Sequence, residues 1–573
     1  MKKQSSIRYW LLGCIILIGC VMPKLSIGQQ TEGWEKADQG EIKDVEIQIV
    51  KDRKIVLPVA NRGFEKVPQR PYEPIQPAIT YQPANLTFTT TDYKPTVRPL
   101  KLSQEEIAPL FGNYLSAGAG NYGSLFAEGA ISTKRDRNKF LSAHLVNRSF
   151  GTGPVDGKNS ASSAGQGEIF GKWMGSAVTV SGRAGADWMG MYFYGYQPAT
   201  DIKRDYLRQS WNNYQLQIGL ENTKPGDFNY KLTGSFGFLQ DHFRTSESQS
   251  SIALVSAYRI SDSRRVIIDG DLFFISRKDS MITNADRQLL RVKPAYQFEP
   301  LQGLRITAGA NVAVQSDSYA GSKSFHLYPN LKVAYNLTTS LQVYGWATGD
   351  IDKVSLNDVR KENAWVDSNL PITNTNRSLE FKAGLQGKLG RQVSVHTGFS
   401  MAAIKNLYFY QTVRDNLNPG GVDAGILFDK FMLVYDHNTR RMNPFAEISV
   451  GAPSSFYFLL RADYFSYDTD ILLDAWHRPT YRVSSQARYN LYDKIILEGG
   501  LVAQGGMKTF DPGSNTIKSL DAALDLSLKA RYFFSKQVSA FVHGNNLLSN
   551  KYPLYQSYNS RGTQVLLGVS WSF

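Results

Sequence analysis

Cysteine is nearly absent from this 573-residue chain, which contains only Cys14 and Cys20. Both lie in an N-terminal stretch with the composition of an export signal: basic residues precede an apolar run, and a small-x-small pattern ends at Gly28. The prediction is a signal peptide over residues 1–28. The mature chain would then have no cysteine, which excludes disulfides, thiol catalysis and cysteine metal sites. Two alternatives are a lipid anchor on Cys20 and an uncleaved spanning helix, although the apolar run is shorter than the ~20 residues such a helix needs.

Long hydrophobic runs are also missing after residue 28, and the mean hydropathy is −0.31. This excludes a protein that crosses the membrane with helices. Strands of a membrane barrel expose apolar residues only at every second position, so a low mean hydropathy is compatible with a barrel. The 30 Phe, 31 Tyr and 9 Trp residues suit aromatic girdles at the membrane surfaces, and the 48 glycines suit tight turns.

Acidic residues are outnumbered by basic ones, with 50 Asp and Glu against 64 Lys and Arg. Cleavage after Gly28 would remove four basic side chains and no acidic one, which leaves a net charge of +10. This excess could form a solvated basic surface, face anionic lipid headgroups or line a lumen that prefers anions. No basic helix with interleaved aromatic residues is present, so nucleic acid is not an expected partner.

Residues 29–112 form a proline-rich segment, because nine of the 23 prolines lie between Pro58 and Pro109. Such spacing prevents regular β-ladders and favours extended backbone. We interpret the segment as a periplasmic arm or linker. It could bind a partner, fold into a lumen or act as a tether.

Residues 113–573 show segments of about ten residues with period-two alternation, which is typical of strands in a membrane barrel. The fold class predicted is all-β: one large antiparallel transmembrane barrel of about 20–22 strands. The alternation breaks between residues 436 and 455, which leaves the count open by two. Short polar turns are predicted to face the periplasm, at residues 134–138, 224–227, 299–303, 390–392, 492–494 and 535–537. Long extracellular loops are predicted at residues 197–210, 349–374, 411–425, 468–479, 505–518 and 547–561.

A set of residues near the C-terminus carries a family resemblance, namely Asn545, Asn546, Leu547, Tyr552, Arg561 and Gly562. In this order the residues resemble the barrel of TonB-dependent receptors. The resemblance implies an outer-membrane protein that binds or transports a ligand. It also implies a plug domain and an energy-coupling box before the barrel, but residues 29–112 lack the strand and glycine pattern of a plug and no coupling box is evident.

The last strand alternates apolar residues and ends on an aromatic one, at Val565, Leu567, Val569, Trp571 and Phe573. This ending resembles the signal read by the barrel-assembly machinery, which captures an exposed edge by strand pairing. An ordinary closing strand with an interfacial aromatic residue would have the same pattern. We expect the assembly machinery and outer-membrane lipid to be partners, together with a periplasmic or surface protein.

No catalytic, cofactor or metal site is predicted, and the protein is not expected to be an enzyme. The seven histidines are single, and Ser394 and His396 share a strand face as alternation alone often produces. Acidic residues around Asp468 do not match a calcium loop. Aromatic runs at residues 188–196 and 408–410 are either girdle residues or ligand-stacking residues at a barrel mouth.

The predicted function is therefore that of a receptor-like protein of the cell outer membrane, which takes part in ligand binding or transport. The alternative is a plug-less scaffold whose periplasmic arm binds an envelope assembly complex. The barrel resemblance favours the first prediction, and the missing plug pattern favours the second.

Overall fold

The computed structural model describes residues 112–134, 136–196, 204–280, 285–317, 323–416, 427–452 and 454–573. These residues form a closed antiparallel barrel of 22 strands, which confirms the predicted fold class. Each strand pairs with its neighbours in the chain, and the first strand pairs with the last so that Ser116 lies opposite Ser570. Closure leaves no unpaired strand edge, as a barrel in a bilayer requires.

The strands differ in length around the ring. The barrel strands are β1 (Asn113–Gly120), β2 (Ser124–Ser132), β3 (Lys139–Phe150), β4 (Ser162–Met174), β5 (Val178–Tyr192), β6 (Arg208–Asn222), β7 (Phe228–Asp241), β8 (Ser246–Ser261), β9 (Arg264–Lys278), β10 (Ala285–Leu301), β11 (Leu304–Gln315), β12 (Phe325–Asn336), β13 (Leu341–Asp352), β14 (Thr375–Leu389), β15 (Val393–Asn416), β16 (Leu427–Gly451), β17 (Phe456–Tyr464) with its continuation β18 (Ser466–Asp468), β19 (Tyr481–Leu491), β20 (Ile495–Gly505), β23 (Ala523–Phe533), β24 (Val538–Asn545) and β27 (Gln564–Ser572).

Short elements lie in the loops between these strands. Two small hairpins pair β21 (Lys508–Asp511) with β22 (Thr516–Ser519) and β25 (Pro553–Tyr555) with β26 (Tyr558–Asn559). Two helices, α1 (Arg204–Leu207) and α2 (Leu356–Glu362), precede β6 and β14. Among the described residues, no helix has the length and apolar composition needed to cross a membrane.

Alternation along each strand separates an apolar outer face from a polar lumen. On β27 the side chains of Leu567, Val569 and Trp571 are 61%, 60% and 47% exposed on the outside, whereas Leu566 and Ser570 are each 4% exposed. The outer face is what a barrel presents to lipid. The predicted alternation of the last strand is therefore present in the structure.

The lumen wall is built largely from charged and polar side chains that pair across strands. Examples are Arg291 with Asp271 on the neighbouring strands β10 and β9, and Lys293 with Asp350 on β10 and β13. Most of the charged lumen residues thus have a partner of opposite sign nearby. A polar interior is the expected inverse of the apolar exterior.

The two ends of the barrel differ in their connections. The end that holds Asn113 and Phe573 has short turns, and these two residues exchange backbone hydrogen bonds of 3.1 and 3.0 Å. The opposite end, here called the mouth, carries the long connections, including residues 353–374, 469–480, 506–522 and 546–563. The described residues of the predicted short turns lie at the first end, and the described residues of the predicted long loops lie at the mouth or in the strand ends next to it.

The sequence between residues 436 and 455 does not interrupt the sheet, because β16 runs through most of it as a single strand of 25 residues. The alternation breaks there because polar residues are buried by a loop. The Asp436 carboxylate accepts backbone hydrogen bonds from Asp470, Ile471 and Leu472, and one from the Thr439 hydroxyl. Burial of Asp436 by this loop accounts for a pattern that pairing in the sheet alone would not give.

Two predictions fall on other parts of the chain. The signal peptide at residues 1–28 and the arm at residues 29–112 lie outside the described residues, apart from Gly112.

Candidate functional site: the mouth of the barrel

Residues 353–374, which connect β13 to β14 and are here called the mouth loop, fold inward across the mouth. Leu356 and Val359 on α2, and Val366 and Leu370 after it, are all fully or almost fully buried. They pack against residues of β5, β6, β7 and the β15–β16 hairpin, which belong to different parts of the wall. Burial of so many apolar side chains fixes the loop in the mouth, at about 25 cal/mol per Å² of apolar surface removed from water.

The start of α2 is fixed by hydrogen bonds from both sides. The Ser355 hydroxyl accepts from the Asp358 N–H, and the Asp358 carboxylate accepts from the Ser355 N–H at 3.0 Å, which is a capping box. The Glu247 carboxylate on β8 accepts from the Leu356 N–H at 3.0 and 2.9 Å. The helix is therefore tied to the wall at its first turn.

A buried ion pair holds the middle of the mouth loop. Nη2 of Arg360 lies 2.5 Å from Oδ2 of Asp241 at the end of β7, and both side chains are 0% exposed. Nε and Nη1 of Arg360 have no hydrogen-bond partner among the described residues, although the guanidinium lies 5.9 Å from the Trp211 ring. Burial lowers the pKa of Arg360, and the Asp241 carboxylate opposes this shift.

The base of the mouth loop is held by Arg287 on β10. Its guanidinium donates to both carboxylate oxygens of Asp317 at 2.8 Å, to the Val354 carbonyl at 2.8 Å and to the Asn374 side chain at 2.6 Å. One arginine thus joins both ends of the mouth loop to the barrel. Bidentate pairs of this kind are geometrically specific as well as strong.

Aromatic side chains from several loops meet over the mouth loop. The Trp365 ring stacks on Tyr558 with a centroid distance of 4.5 Å, and its edge contacts Tyr194 at 5.7 Å. Its Nε1 donates to the Tyr192 carbonyl at the end of β5. Trp365 therefore links the mouth loop to residues 193–196 and to the loop between β24 and β27. Ring contacts of this type contribute about 0.5–1.5 kcal/mol each beyond their buried area.

His477 joins three further segments at the mouth. Its Nδ1 lies 2.7 Å from the Tyr410 carbonyl on β15, its backbone N–H donates to Lys508, and its Nε2 lies 3.5 Å from the Gln556 N–H. The ring also contacts Phe431 edge to face at 5.2 Å. Burial lowers the pKa of His477 to about 4, so the imidazole is neutral at pH 7.

An ion pair lies beside this histidine. The Glu362 carboxylate at the end of α2 pairs with Arg478 and accepts hydrogen bonds from the hydroxyls of Tyr408 at 2.7 Å and Tyr410 at 3.0 Å. The end of the helix is therefore bound to β15 and to the loop that carries His477. Both ends and the middle of α2 thus have polar anchors in different parts of the wall.

The residues that carry the family resemblance lie in one loop of the mouth. Asn546 donates to the carbonyls of Asn550 at 2.8 Å and Arg561 at 2.6 Å, and its own N–H donates to Asp525. The Tyr552 hydroxyl donates to the other oxygen of Asp525 at 2.9 Å. Hydrogen bonds within the loop and to β23 thus fix the connection between β24 and β27.

Arg561 extends this connection to the neighbouring loop. It donates to the carbonyls of Thr152 and Ser160, and it lies 4.2 Å from the Phe150 ring. Asn545 ends β24 opposite Gln564, and Leu547 and Gly562 lie in the same loop. The structure therefore brings most of the predicted motif together as a structural brace, and the family-specific role of these residues stays a prediction.

The C-terminal end of the last strand lies at the end of the barrel opposite the mouth. Trp571 and Phe573 stack with a centroid distance of 4.1 Å beside the closing pair of strands. This places an aromatic pair at the short-turn end, where a girdle is expected. Recognition of these residues by the assembly machinery stays a prediction.

Sequence reasoning did not identify the mouth loop helix or its ion pair. A signal for the helix was present, because Ser355-x-x-Asp358 is a capping-box pattern ahead of apolar residues. The structure also places the aromatic runs of residues 188–196 and 408–410 largely at the mouth. Within the described ranges, no group of three or more His, Cys, Asp or Glu side chains is arranged to hold a metal ion.

Replacing Ser355 with alanine is expected to loosen the first turn of α2 without releasing the mouth loop. Loss of an N-cap hydroxyl costs about 0.5–2 kcal/mol, while the bond from Leu356 to Glu247 remains. Hydrogen exchange of the amides at residues 356–359 should accelerate. Ser368→Ala in the same loop is the matched control, and equal acceleration in both variants would contradict the capping role.

Three solved structures have a fold similar to that of this barrel. The FrpB iron transporter from Neisseria meningitidis is 9% identical with a TM-score of 0.62 over 82% of each chain. The siderophore receptor PirA from Acinetobacter baumannii is 11% identical with a TM-score of 0.61, over 82% of this chain and 81% of that one. The ferripyoverdine receptor of the outer membrane of Pseudomonas aeruginosa is 13% identical with a TM-score of 0.58, over 82% and 72%.

No family model and no curated protein sequence matches the chain. At 9–13% identity these similarities establish the fold, and the matched structures are receptors and transporters rather than enzymes. The predicted resemblance to the barrel of TonB-dependent receptors is thus confirmed at the level of the fold. The predicted lack of a plug concerns residues outside the described ranges.

Proposed function

We propose that this protein is an outer-membrane receptor that binds a ligand at its mouth and takes part in the passage of that ligand across the outer membrane. The observation that carries the proposal is the mouth loop, which crosses a wide barrel and is anchored to the wall by Arg287, Arg360 and Trp365. Such a cover obstructs the free diffusion that a passive pore allows, whereas it suits a receptor that holds a ligand before passing it on.

The class of ligand is suggested by the similar structures. These include proteins described as an iron transporter, a siderophore receptor and a ferripyoverdine receptor. Iron-loaded small chelators are therefore the first ligands to test. The aromatic residues at the mouth, among them Tyr408 and Tyr555, could contact the apolar parts of such molecules.

The proposal is tested by single-channel conductance of the purified protein in a planar bilayer. The full chain is expected to be silent, and a variant with residues 356–370 replaced by a glycine-serine linker is expected to conduct steadily. The matched control replaces residues 154–158, which lie in the loop between β3 and β4, and should stay silent. Large steady conductance of the unmodified chain would contradict a receptor and indicate a passive pore.

Ligand binding is measured separately on the same preparation. Quenching of tryptophan fluorescence by a panel of ferric siderophores, compared with the same chelators without iron, reports binding. Saturable quenching by one iron-loaded member would support the proposal. If the barrel is silent and binds no member of the panel, the mouth is closed as proposed but this ligand class is excluded.

A further inference from the structure

Two lysines and a tryptophan lie side by side on three neighbouring strands of the lumen wall, well below the mouth; they are here called the row. Trp346 on β13 lies directly opposite Lys332 on β12 and directly opposite Lys382 on β14. Neighbouring strands are about 4.8 Å apart, so the Cα atoms of the two lysines lie about 10 Å apart and the indole lies between them. All three face the lumen, because the outward neighbours Leu331, Val343 and Phe381 are exposed on the lipid side.

Neither lysine makes an ion pair with a carboxylate among the described residues, in contrast to most charges of the lumen wall. The acidic side chains nearest along the strands are already paired, Glu380 with Arg377 and Asp350 with Lys293. Asp269 lines a neighbouring cavity together with Lys332, but it accepts a hydrogen bond from the Ser256 N–H and makes no ion pair with Lys332. Nζ of Lys382 lies 4.9 Å from the Trp346 ring and 4.7 Å from the Phe445 ring. These contacts orient the ammonium group but leave its charge uncompensated.

The row borders a cavity of about 310 Å³ in the lumen wall. Its other lining residues include Arg305, Tyr344 and His396, and no acidic residue lines it. Small residues make the space, since Ala334 and Gly384 flank Tyr344 in the next row. The Tyr344 hydroxyl lies over Gly384 and 2.7 Å from Nε2 of His396, so the cavity wall is held by side-chain contacts.

We propose that this cavity is a binding site for a small organic anion, in which a carboxylate or phosphate group bridges Lys332 and Lys382 and a planar apolar body contacts Trp346 and Tyr344. Two unpaired cations attract the anionic group, and the aromatic faces give the apolar body a surface to pack on. The site lies in the lumen wall, apart from the mouth. It does not rest on the receptor proposal, because the wall would bind such an anion whether or not the barrel transports one.

The test is isothermal titration calorimetry on the full chain in lipid nanodiscs, with 2-naphthoate as the probe and empty nanodiscs subtracted. We expect saturable binding, at least ten-fold weaker for the variant Lys332→Gln with Lys382→Gln. Trp346→Leu should also weaken binding. Titration with inorganic phosphate tests the aromatic contact: weaker binding of phosphate than of 2-naphthoate shows that the contact contributes, whereas phosphate binding as tight as that of 2-naphthoate would overturn a site for an anion with a planar apolar body.

The matched control removes two lysines from another part of the lumen, Lys172→Gln with Lys231→Gln, both of which pair with Glu221. This control should bind the probe as the unmodified chain does. An equal loss in both double variants would mean that only the net charge of the lumen matters and would overturn the site. Absence of probe binding, unchanged affinity without Lys332 and Lys382, or equal binding of the neutral 2-naphthalenemethanol would overturn it as well.

Discussion

Replacing Asp241 with alanine is expected to release the mouth loop from the barrel mouth. The substitution leaves the Arg360 guanidinium in a site where its side chain is 0% exposed, without the carboxylate that pairs with it. Glu247 and Asp367 favour its charge electrostatically but make no ion pair with it in the described structure. Removal of one partner of a buried ion pair costs about 3–5 kcal/mol, because the remaining charge is stranded away from water. The loop can avoid this cost only by moving Arg360 into solvent, which would also expose Leu356 and Val359.

The measurement is hydrogen exchange of the amides of residues 353–374 in detergent, together with single-channel conductance. Amide exchange and conductance should both increase in Asp241→Ala. The electrophoretic migration of the unheated, folded barrel should not change. The double variant Asp241→Leu with Arg360→Met is the matched control, because apolar replacement of both partners is often neutral. If the double variant exchanged as fast as Asp241→Ala, loss of packing rather than the stranded charge would be responsible.

The wall of the barrel was largely predictable from the sequence because its contacts are local and repetitive. Val538 to Asn545 and residues 481–491 alternate in a way that fixes which side chains face lipid, and each strand pairs with its neighbour in the chain. The count of 22 strands lies at the upper limit of the predicted range, and the region around Asp436, which the alternation left open, belongs to the single strand β16.

The mouth was not predictable in the same way because its contacts join residues far apart in the sequence. Arg360 and Asp241 are 119 positions apart, and Tyr555 donates to the Glu362 carbonyl across 193 positions. Neither periodicity nor local propensity encodes such pairings. The predicted long loops marked where the mouth lies, but their folding against one another depends on a shape complementarity that alternation does not express.

A mouth closed by packed loops and a lumen wall with unpaired cations suggest a path with a barrier at the mouth and a binding site below it. At the mouth, the aromatic contacts of Trp365 and the buried charge of Arg360 oppose opening. Below it, the proposed site at Lys332 and Lys382 would hold an anion that has entered. A ligand with both an apolar surface and an anionic group would interact first with the aromatic residues at the mouth and then with the two lysines below it.

Acidification is expected to loosen the mouth through His477. The pKa of this buried imidazole is about 4, below the ordinary value of 6.5, so the folded mouth binds the proton less readily than the unfolded loop does. Stability from the neutral imidazole is therefore complete above pH 6.5 and is lost as the pH falls from 6.5 toward 4. At about 1.4 kcal/mol per pKa unit, the loss approaches about 3 kcal/mol.

Conductance recorded between pH 7.5 and pH 4.5 would measure this effect. The unmodified chain should be silent at pH 7.5 and should open more often as the pH approaches 4.5. His477→Gln is the matched variant, because an amide can donate to the Tyr410 carbonyl but does not titrate in this range. A shallower pH dependence in His477→Gln would assign the response to the histidine. Equal opening of both proteins at pH 4.5 would show that a group other than His477 causes the response.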